Sequence, residues 1–369
     1  MTEWIECTLD KLGEIVGGAT PSTKCEDYYG GSIPWITPKD LSSFKGRYIT
    51  SGERNITEKG LASCSAQMMP KDAVLFTSRA PIGYVAIASQ SVCTNQGFKS
   101  IVVNEKADPL FVYYLLKYNK DAIEAMGSGT TFKEVSGKTM RAVKVRIPLD
   151  VSYQNRIAAV LDSLDTKIEN NERINDNLQQ QAQAIYSPMF IDNPDPAWSH
   201  GHLSDLITVK YGKDHKKLAD GIYPVYGSGG IMRYVERPLY NKESVLIPRK
   251  GTLNNVMYVN QPFWSVDTMF YTEMKLPNVA KFVYHFVKAK DLASMNAGSA
   301  VPSMTTDILN AMEVVIPSAS ALEEFESLVA PMYEAMEAND VQSKALSQMR
   351  DTLLPKLMSG EIDVSDIQL

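Results

Sequence analysis

Apolar residues, with a few polar interruptions, recur along two stretches of the chain in alternating steps of four and three. This spacing is typical of a helix that keeps one stripe of its surface against a partner over several heptads. The first stretch comprises Ile157, Leu161, Leu164, Ile168, Asn171, Asn175, Leu178, Ala182 and Ile185. The second begins 168 residues later and comprises Phe325, Val329, Met332, Met336, Asn339, Ser343, Leu346, Arg350 and Leu353. The pattern predicts two helices of roughly 30 residues, each on the order of 45–50 Å long.

The polar interruption falls at the same place in both stretches, at Asn171 in the first and at Asn339 in the second. A polar residue in a helix seam costs stability but fixes the register of the two partners. Its recurrence therefore predicts that the two helices pair with each other as an antiparallel coiled coil. The alternative is that each helix packs only on its own globular domain.

The rest of the chain also repeats. Residues 111–117 match residues 282–288 at a shift of 171, and residues 129–148 align with residues 298–317 at a shift of 169. Both members of the second pair end in an apolar alternation stopped by proline, which predicts a half-buried strand. The aromatic residues of the first pair have helical spacing, which favours a place in the core over stacking on bases. A tandem duplication of one domain explains the shifts.

These patterns predict an α+β fold in which two globular domains of short strands and a few helices are separated by two long helices pairing as an antiparallel coiled coil. The expected boundaries are 1–150 for the first domain, 151–190 for the first long helix, 191–200 for a linker, 201–318 for the second domain, and 319–369 for the second long helix with the C-terminal tail.

The bulk composition is that of a globular protein that lies in the cytoplasm. Of the 369 residues, 44% are hydrophobic and 22% are charged. No run of about 18 apolar residues is present, and the N-terminus lacks the pattern of a secretory signal. The four cysteines form no CxxC pair, so free thiols are expected at Cys7, Cys25, Cys64 and Cys93.

The net charge of −6 argues against a nucleic-acid partner until it is divided along the chain. Residues 1–149 carry +3 and residues 201–318 carry +3, whereas residues 150–200 carry −5 and residues 319–369 carry −7. The globular segments are thus mildly basic and the helical segments are acidic. A polyanion would be attracted to the former and repelled by the latter.

Two basic modules held apart by a helical pair predict a reader of a split DNA sequence. A separation of about 45 Å corresponds to about 13 base pairs at roughly 3.4 Å each, so each module can occupy its own groove segment. The alternative is a bivalent protein scaffold without a role in DNA binding.

The sequence predicts no catalysis, metal or cofactor. Residues 227–230 are glycine-rich but lack the GK[ST] of a phosphate-binding loop. The segment Asn193-Pro194-Asp195-Pro196 lacks the aromatic residue that completes the similar motif of adenine methyltransferases. His200 and His202 have no further histidine or cysteine nearby, so they do not form a predicted metal site.

Several short blocks occur in a fixed order along the chain. They are Leu12-Gly13-Glu14-Ile15, Gly18-Ala19-Thr20-Pro21-Ser22-Thr23, Ile33-Pro34-Trp35-Ile36-Thr37-Pro38-Lys39-Asp40-Leu41, Thr77-Ser78-Arg79-Ala80-Pro81-Ile82-Gly83-Tyr84, Asn95-Gln96-Gly97-Phe98, Gly129-Thr130-Thr131-Phe132-Lys133-Glu134-Val135-Ser136 and Leu353-Leu354-Pro355-Lys356-Leu357-Met358-Ser359-Gly360-Glu361-Ile362. Their order and spacing resemble those of the specificity subunits of type I restriction-modification systems. The second half departs more, with Ala300-Val301-Pro302-Ser303-Met304 in place of the first half's Thr-Thr-Phe-Lys-Glu.

The resemblance implies two target-recognition domains that each read one half of a bipartite double-stranded DNA target, and a subunit without catalytic activity. It further implies two methyltransferase subunits bound through the helical regions, which methylate adenine. Two motor-nuclease restriction subunits would complete an assembly that cuts unmodified DNA as a defence against foreign DNA. The helices would set the gap between the half-sites.

The DNA-contacting residues are predicted from side-chain chemistry, because phosphates attract Lys, Arg and hydroxyl groups and base edges suit Arg, Lys, Asn and Gln. In the first domain the candidates are Thr20, Ser22, Lys24, Thr37, Lys39, Ser78, Arg79 and Tyr84. In the second domain they are Lys210, Tyr211, Lys213, His215, Lys216, Lys217, Arg249 and Lys250. The alternative for each is an ordinary solvated surface residue.

Overall fold

The computed structural model describes residues 2–79, 81–129, 133–295 and 303–367. Residues 80, 130–132 and 300–302, which belong to sequence blocks considered above, lie outside these ranges. The chain forms two compact units, one of Met1–Arg173 with Asn339–Leu369 and the other of Ile174–Ala338. Each unit thus contains a globular domain and a part of both long helices.

The first unit holds three sheets. Its strands are β1 (Trp4–Thr8), β2 (Gly13–Gly17), β3 (Tyr29–Ile36), β4 (Tyr48–Ile49), β5 (Arg54–Ile56), β6 (Val74–Ser78), β7 (Ile82–Ala88), β8 (Cys93–Thr94), β9 (Lys99–Val103) and β10 (Lys144–Pro148). Strands β1 and β10 pair antiparallel, a five-stranded sheet has the order β2-β9-β6-β7-β4, and a three-stranded sheet has the order β5-β3-β8. Its helices are α1 (Pro38–Ser42), α2 (Glu58–Ala62), α3 (Pro109–Tyr118), α4 (Lys120–Ala125) and α5 (Gly137–Arg141), followed by the long α6 (Val151–Ser187). Short 3₁₀ turns cover Leu9–Lys11 and Glu26–Tyr28.

The second unit repeats this plan. After a π-helical turn at Pro188–Asp192 come β11 (Ser199–His202), α7 (Leu203–Leu206), β12 (Ile207–Tyr211), β13 (Asp220–Gly227), β14 (Gly230–Val235), β15 (Ser244–Pro248), β16 (Met257–Val259), β17 (Trp264–Ser265), β18 (Met269–Met274), α8 (Ala280–Lys288), α9 (Thr306–Asn310), β19 (Glu313–Ile316) and the long α10 (Ala319–Ser359). Strand β11 pairs with β19, and the other sheets have the orders β12-β18-β15-β16 and β14-β13-β17. Each order is the counterpart of one in the first unit, which is the structural signature of the predicted duplication.

The aromatic helices are core elements, as predicted. In α3, Asp108 caps the N-terminus by accepting a hydrogen bond from the Phe111 amide (2.8 Å), and Pro109 occupies the first turn, where its missing N–H costs nothing. Residues 111–116 of α3 and residues 282–287 of α8 are all buried, between the sheet of their own unit and the long helices, to which Tyr114 and His285 hydrogen-bond.

The two long helices run antiparallel within each unit. In the first unit, Asp165 of α6 binds Arg350 of α10 (2.7 Å) and Asn171 binds Ser343 (3.1 Å). In the second unit, the Asn175 amide donates to the Met336 carbonyl (3.2 Å). The predicted fold class, two globular α+β domains with two long paired helices, is therefore confirmed.

The predicted seam residues fall into two groups. At the helix ends they enter the domain cores, with Ile157 and Leu161 buried in the first unit and Phe325 and Val329 buried in the second. Toward the middle Asn171 is buried, and the others are half-buried, namely Leu164, Ile168, Leu178, Met332, Met336, Asn339 and Leu346. Leu353, near the C-terminal end of α10, is half-buried against the core of the first unit. The helices thus pack on their own domains near their ends and on each other between them.

Within the described ranges, no helix has the length and hydropathy needed to cross a membrane. All four cysteines are free thiols, as predicted.

Candidate nucleic-acid interface

The loops that follow four strands of the first domain are joined by main-chain hydrogen bonds. These loops extend from β2, β3, β6 and β8, and the segment before α5 joins them. Four bonds, each from an amide N–H to a carbonyl oxygen, run from Ala19 to Thr94 (3.0 Å), from Asn95 to Ile36 (3.0 Å), from Ser78 to Gly97 (2.7 Å) and from Val135 to Ser78 (2.9 Å). We call this set of bonded loops the loop framework.

The second domain contains the same framework, bond for bond. The bonds run from Lys213 to Ser265 (2.8 Å), from Val266 to Tyr226 (3.1 Å), from Arg249 to Thr268 (2.9 Å) and from Met304 to Arg249 (2.9 Å). Since main-chain groups make all of these bonds, the loop positions are maintained although most of the side chains differ. The framework thus pairs Ser78 with Arg249, the correspondence that the sequence repeat indicated only roughly.

One glycine at the start of each framework allows the loops to approach closely. A Cβ at Gly18 would lie 2.1 Å from the Asn95 carbonyl oxygen, and one at Gly212 would lie 2.0 Å from the Val266 carbonyl oxygen. The residue after each glycine accepts a hydrogen bond from a tryptophan indole, at 3.0 Å from Trp35 and at 2.8 Å from Trp264. In each domain two strands pair in parallel at this point, β3 with β8 in the first and β13 with β17 in the second. The tryptophan lies on β3 in the first domain and on β17 in the second.

The first framework gathers polar side chains that the sequence singled out. The Thr20 hydroxyl donates to the Gln96 side chain, which brings the loops after β2 and β8 together. Ser22 and Lys24 are exposed on the same loop as Thr20. Arg79 lies 3.8 Å from Glu134, and its side chain is 36% exposed.

Four of the predicted residues in the first domain have structural partners. Thr37 caps α1 through Asp40, Lys39 pairs with Glu53 (2.6 Å), and Tyr84 packs partly against the core. Ser78 has no exposed surface, and its hydroxyl donates to the Gly97 carbonyl (3.2 Å). The prediction that the Ser78 side chain contacts DNA is therefore corrected, because this buried serine supports the loop without reaching its surface.

The second framework carries more positive charge. Lys213, Lys216, Lys217 and Lys250 are exposed, and no salt bridge joins them to a carboxylate in the described part of the chain. In contrast, Lys210 pairs with Glu273 (3.6 Å).

Local contacts give this basic loop a defined conformation. The Asp214 carboxylate accepts the Lys216 amide (3.1 Å), and this bond holds the pKa of Asp214 below its ordinary value. A hydrogen bond from the Leu218 amide to the His215 carbonyl (3.1 Å) closes the turn. His215 is half-buried in this turn. The lysines therefore project from an ordered turn.

Arg249 and Tyr211 form one unit on the surface of the second framework. The guanidinium lies over the Tyr211 ring at 5.4 Å from its centroid, and it also donates to the Asp267 carbonyl (3.3 Å). The ring is 52% exposed and rests edge-on against Phe270. Stacking restricts the Arg249 side chain, so less conformational entropy is lost when it binds an acceptor.

Two features of the site were not among the predicted contact residues. Gln96 belongs to one of the sequence blocks but was not predicted to contact DNA. The contact of its side chain with Thr20 links segments 76 residues apart. The turn between β13 and β14 also lies beside the second framework, since the Ser228 carbonyl accepts the Asn255 side-chain amide (2.8 Å). Among the described residues, no cluster of three metal-binding side chains exists.

Comparisons with known proteins agree with this picture. A family model described as "Type I restriction modification DNA specificity domain" matches residues 1–180 and 197–325. The chain is 32% identical to the MjaIX type I restriction enzyme specificity subunit of Methanocaldococcus jannaschii, covering 99% of this chain and 95% of that protein. It is 23% identical to the EcoprrI specificity subunit of Escherichia coli, covering 90% and 89% of the two chains.

A solved structure supports the fold. The crystal structure of the type I restriction-modification system S subunit from M. genitalium superposes with a TM-score of 0.60 at 18% identity, covering 96% of both chains. Both sequence relatives are named as specificity subunits, in agreement with the prediction that this chain is not itself an enzyme. From the family model and the extent of these matches, we conclude that the chain belongs to the type I restriction-modification DNA specificity family.

Proposed function

We propose that this chain reads a bipartite DNA target, with one half-site for each loop framework. The observation that carries the proposal is the repetition of four main-chain hydrogen bonds that present different side chains. A duplicated scaffold with different surface chemistry is what two unlike half-sites require. The predicted boundaries, with recognition domains at 1–150 and 201–318, a linker at 191–200 and helices at 151–190 and 319–369, are part of this proposal.

In the second domain, the basic turn supplies the contacts to phosphate. Lys213, Lys216 and Lys217 are exposed, and no salt bridge ties them to a carboxylate within the described ranges, so each can neutralise one phosphate. Arg249 is better suited to bases, since its stacked, restricted guanidinium can donate two parallel hydrogen bonds to guanine. Lys250 and Tyr211 flank it, and Lys210, which pairs with Glu273, and His215 complete the proposed contact set.

In the first domain, the surface is less charged and richer in hydroxyl and amide groups. Thr20, Ser22 and Gln96 offer hydrogen bonds to base edges, and Lys24 and Arg79 offer contacts to the backbone. Lys39 and Thr37 contribute beside them where their partners Glu53 and Asp40 permit. The two half-sites are thus expected to differ in sequence.

The partners follow from the family. We infer that two methyltransferase subunits bind the acidic helical regions and methylate adenine in each half-site, and that two motor-nuclease subunits add cleavage of unmodified DNA. The names of the relatives as specificity subunits of type I restriction enzymes support this inference. The paired helices would then set the gap between half-sites.

The first experiment is adenine-methylation mapping in cells that express the chain with its methyltransferase partner. A bipartite motif that appears only with this chain supports the proposal. A soluble complex with an active partner and no chain-dependent motif would favour the bivalent protein scaffold instead.

The basic turn provides a sharper test on the purified complex. Replacing Lys213, Lys216 and Lys217 by serine removes three phosphate contacts. The slope of log K against log salt concentration, which is negative, should therefore become less steep by roughly 3. Lys144→Ser is the matched control, since Lys144 is 74% exposed but lies on β10, away from the loop framework. An unchanged slope in the triple variant would contradict the assignment.

A further inference from the structure

The second domain has an apolar hairpin tip beside its loop framework. Strands β13 and β14 are joined by a two-residue turn at Ser228 and Gly229, and the two residues that follow Gly230 are both exposed and apolar. Ile231 is 48% exposed and Met232 is 61% exposed. Neighbouring exposed apolar residues at a hairpin tip are an unfavourable arrangement in water unless something covers them.

A β-bulge places both side chains on the surface. In a regular strand, consecutive side chains point to opposite faces. Here Tyr226 pairs with Ile231, and its neighbour Val225 pairs with Arg233. Met232 is therefore the extra residue of the bulge. Bulges redirect side chains in this way and are frequent at functional sites.

The tip is continuous with the proposed DNA-contacting surface. A Cβ at Gly227 would lie 2.6 Å from the Met232 sulfur and 3.8 Å from Val266, so Met232 crosses Gly227 next to a framework loop. A Cβ at Gly251 would lie 2.5 Å from the Ser228 hydroxyl oxygen, which places the turn against the loop that carries Lys250. The apolar tip therefore adjoins the loops that carry Lys213 and Lys250, two exposed lysines that form no salt bridge with a carboxylate among the described residues.

The described residues of the first domain form no such tip at the equivalent position. The framework bond to Tyr226 corresponds to the bond to Ile36, so Gly227 corresponds to Thr37. At that point α1 begins in the first domain, and Thr37 and Asp40 form a polar capping box. The chemical difference between the two domains is thus concentrated at one framework position.

We propose that Ile231 and Met232 read thymine by contact with its 5-methyl group in the major groove. This inference rests on the proposed function. The thymine methyl is the apolar group that a base edge offers in the major groove, and apolar side chains recognise it. The cations around the tip favour a polyanion as the occupant over the surface of a partner subunit.

The test uses the complex of the full chain with its methyltransferase and duplexes that carry the mapped motif. Each thymine of one half-site is replaced in turn by deoxyuridine, which removes only the 5-methyl group. At one or more positions we expect wild-type affinity to fall about fourfold, the change that corresponds to burial of one methyl group. Met232→Gln and Ile231→Asn should bind thymine and deoxyuridine duplexes with nearly equal affinity at that position.

Ile222→Thr is the matched control, because Ile222 is 77% exposed on the same hairpin but lies at the end remote from the tip. It should retain the wild-type response to deoxyuridine. If no thymine position responds, or if the tip variants respond as wild type does, the inference is wrong although the proposed function stands. If the tip variants lose the methyltransferase in gel filtration, the tip is instead a protein interface. If the wild-type complex has no motif at all, the proposed function itself fails.

Discussion

Three side chains of the first unit, two of them buried and one half-buried, join the globular domain to both long helices. The Tyr114 hydroxyl on α3 donates to Asp165 on α6 (2.8 Å), and the Arg350 guanidinium on α10 donates to the other oxygen of Asp165 (2.7 Å). Burial beside Asp165 raises the pKa of Tyr114, so the phenol stays protonated as the donor. Replacing Arg350 by methionine tests what this contact contributes to stability.

The magnitude follows from burial. Removing one partner of a buried ion pair costs about 3–5 kcal/mol, because the remaining charge is left without compensation. Here the Asp165 side chain is 8% exposed and the Arg350 side chain is 20% exposed, and Tyr114 remains bound to the carboxylate. We therefore expect Arg350→Met to lower the free energy of unfolding by about 2–3 kcal/mol. Adding Asp165→Leu together with Tyr114→Phe to this variant should restore much of the loss, since the uncompensated charge is then gone and no buried hydroxyl is left without its acceptor.

Urea denaturation of the full chain measures the loss, and hydrogen exchange of α3 amides assigns it to the first unit. Lys356→Met is the matched control on the same helix, where the side chain is 45% exposed and pairs with Glu361 at 3.7 Å. A surface pair of this kind is worth about 0–1 kcal/mol. If Arg350→Met lost no more stability than the control, or if adding Asp165→Leu with Tyr114→Phe lowered the free energy of unfolding further, the assignment of a buried ion pair would be refuted.

Three further predictions concern stability. Burial lowers the pKa of His285 to about 4, so the folded state disfavours its protonation; stability is full above the unfolded pKa of about 6.5 and is lost as the pH falls toward 4. At pH 4.5 this residue should cost about 2–3 kcal/mol, and His285→Gln should remove that part of the acid sensitivity in urea titrations at two pH values. Gly18→Ala forces a Cβ to 2.1 Å from a carbonyl oxygen and should cost about 2 kcal/mol or more in thermal unfolding, whereas Gly17→Ala, with nothing within 4 Å, should be nearly neutral. Val364 is fully buried in the first domain's core, so Val364→Ala should cost about 1.5–3 kcal/mol and speed proteolysis of the first unit; unchanged digestion would contradict this packing.

The helical pairing and the duplication were readable from sequence because both signals extend over many residues. A 4-3 period sustained through two stretches predicts one continuous helix face, and the shift of 171 that aligns residues 111–117 with residues 282–288 also places Ser78 opposite Arg249. The buried state of Ser78 was not readable. All five residues of β6 are buried, and a short hydroxyl side chain at a strand end gives no sign of whether it faces inward.

The sequences of the two halves match only loosely in their upstream parts, because the two domains differ there in topology. In the first domain, residues 37–53 lie between β3 and its partner β5, and this insertion contains α1 and β4. In the second domain, β13 turns directly into β14. Sequence alignment also does not show that Trp35 and Trp264 correspond in role. They lie on strands that are not equivalent, β3 and β17, although the indole of each donates to the residue after the framework glycine.

Divergence of the two surfaces is possible because main-chain atoms hold the loops. At one framework position the first domain has a buried serine and the second has a half-buried arginine, yet the amide of each donates to the equivalent carbonyl, at 2.7 Å for Ser78 and at 2.9 Å for Arg249. A hydrogen bond between backbone groups is indifferent to the side chain, provided that its φ and ψ angles are accessible. The tolerance ends where a Cβ would enter the framework, at Gly18 and Gly212. Recognition can therefore change at the loop surfaces of one half without disturbing the other, while the glycines and the indole hydrogen bonds keep both halves folded alike.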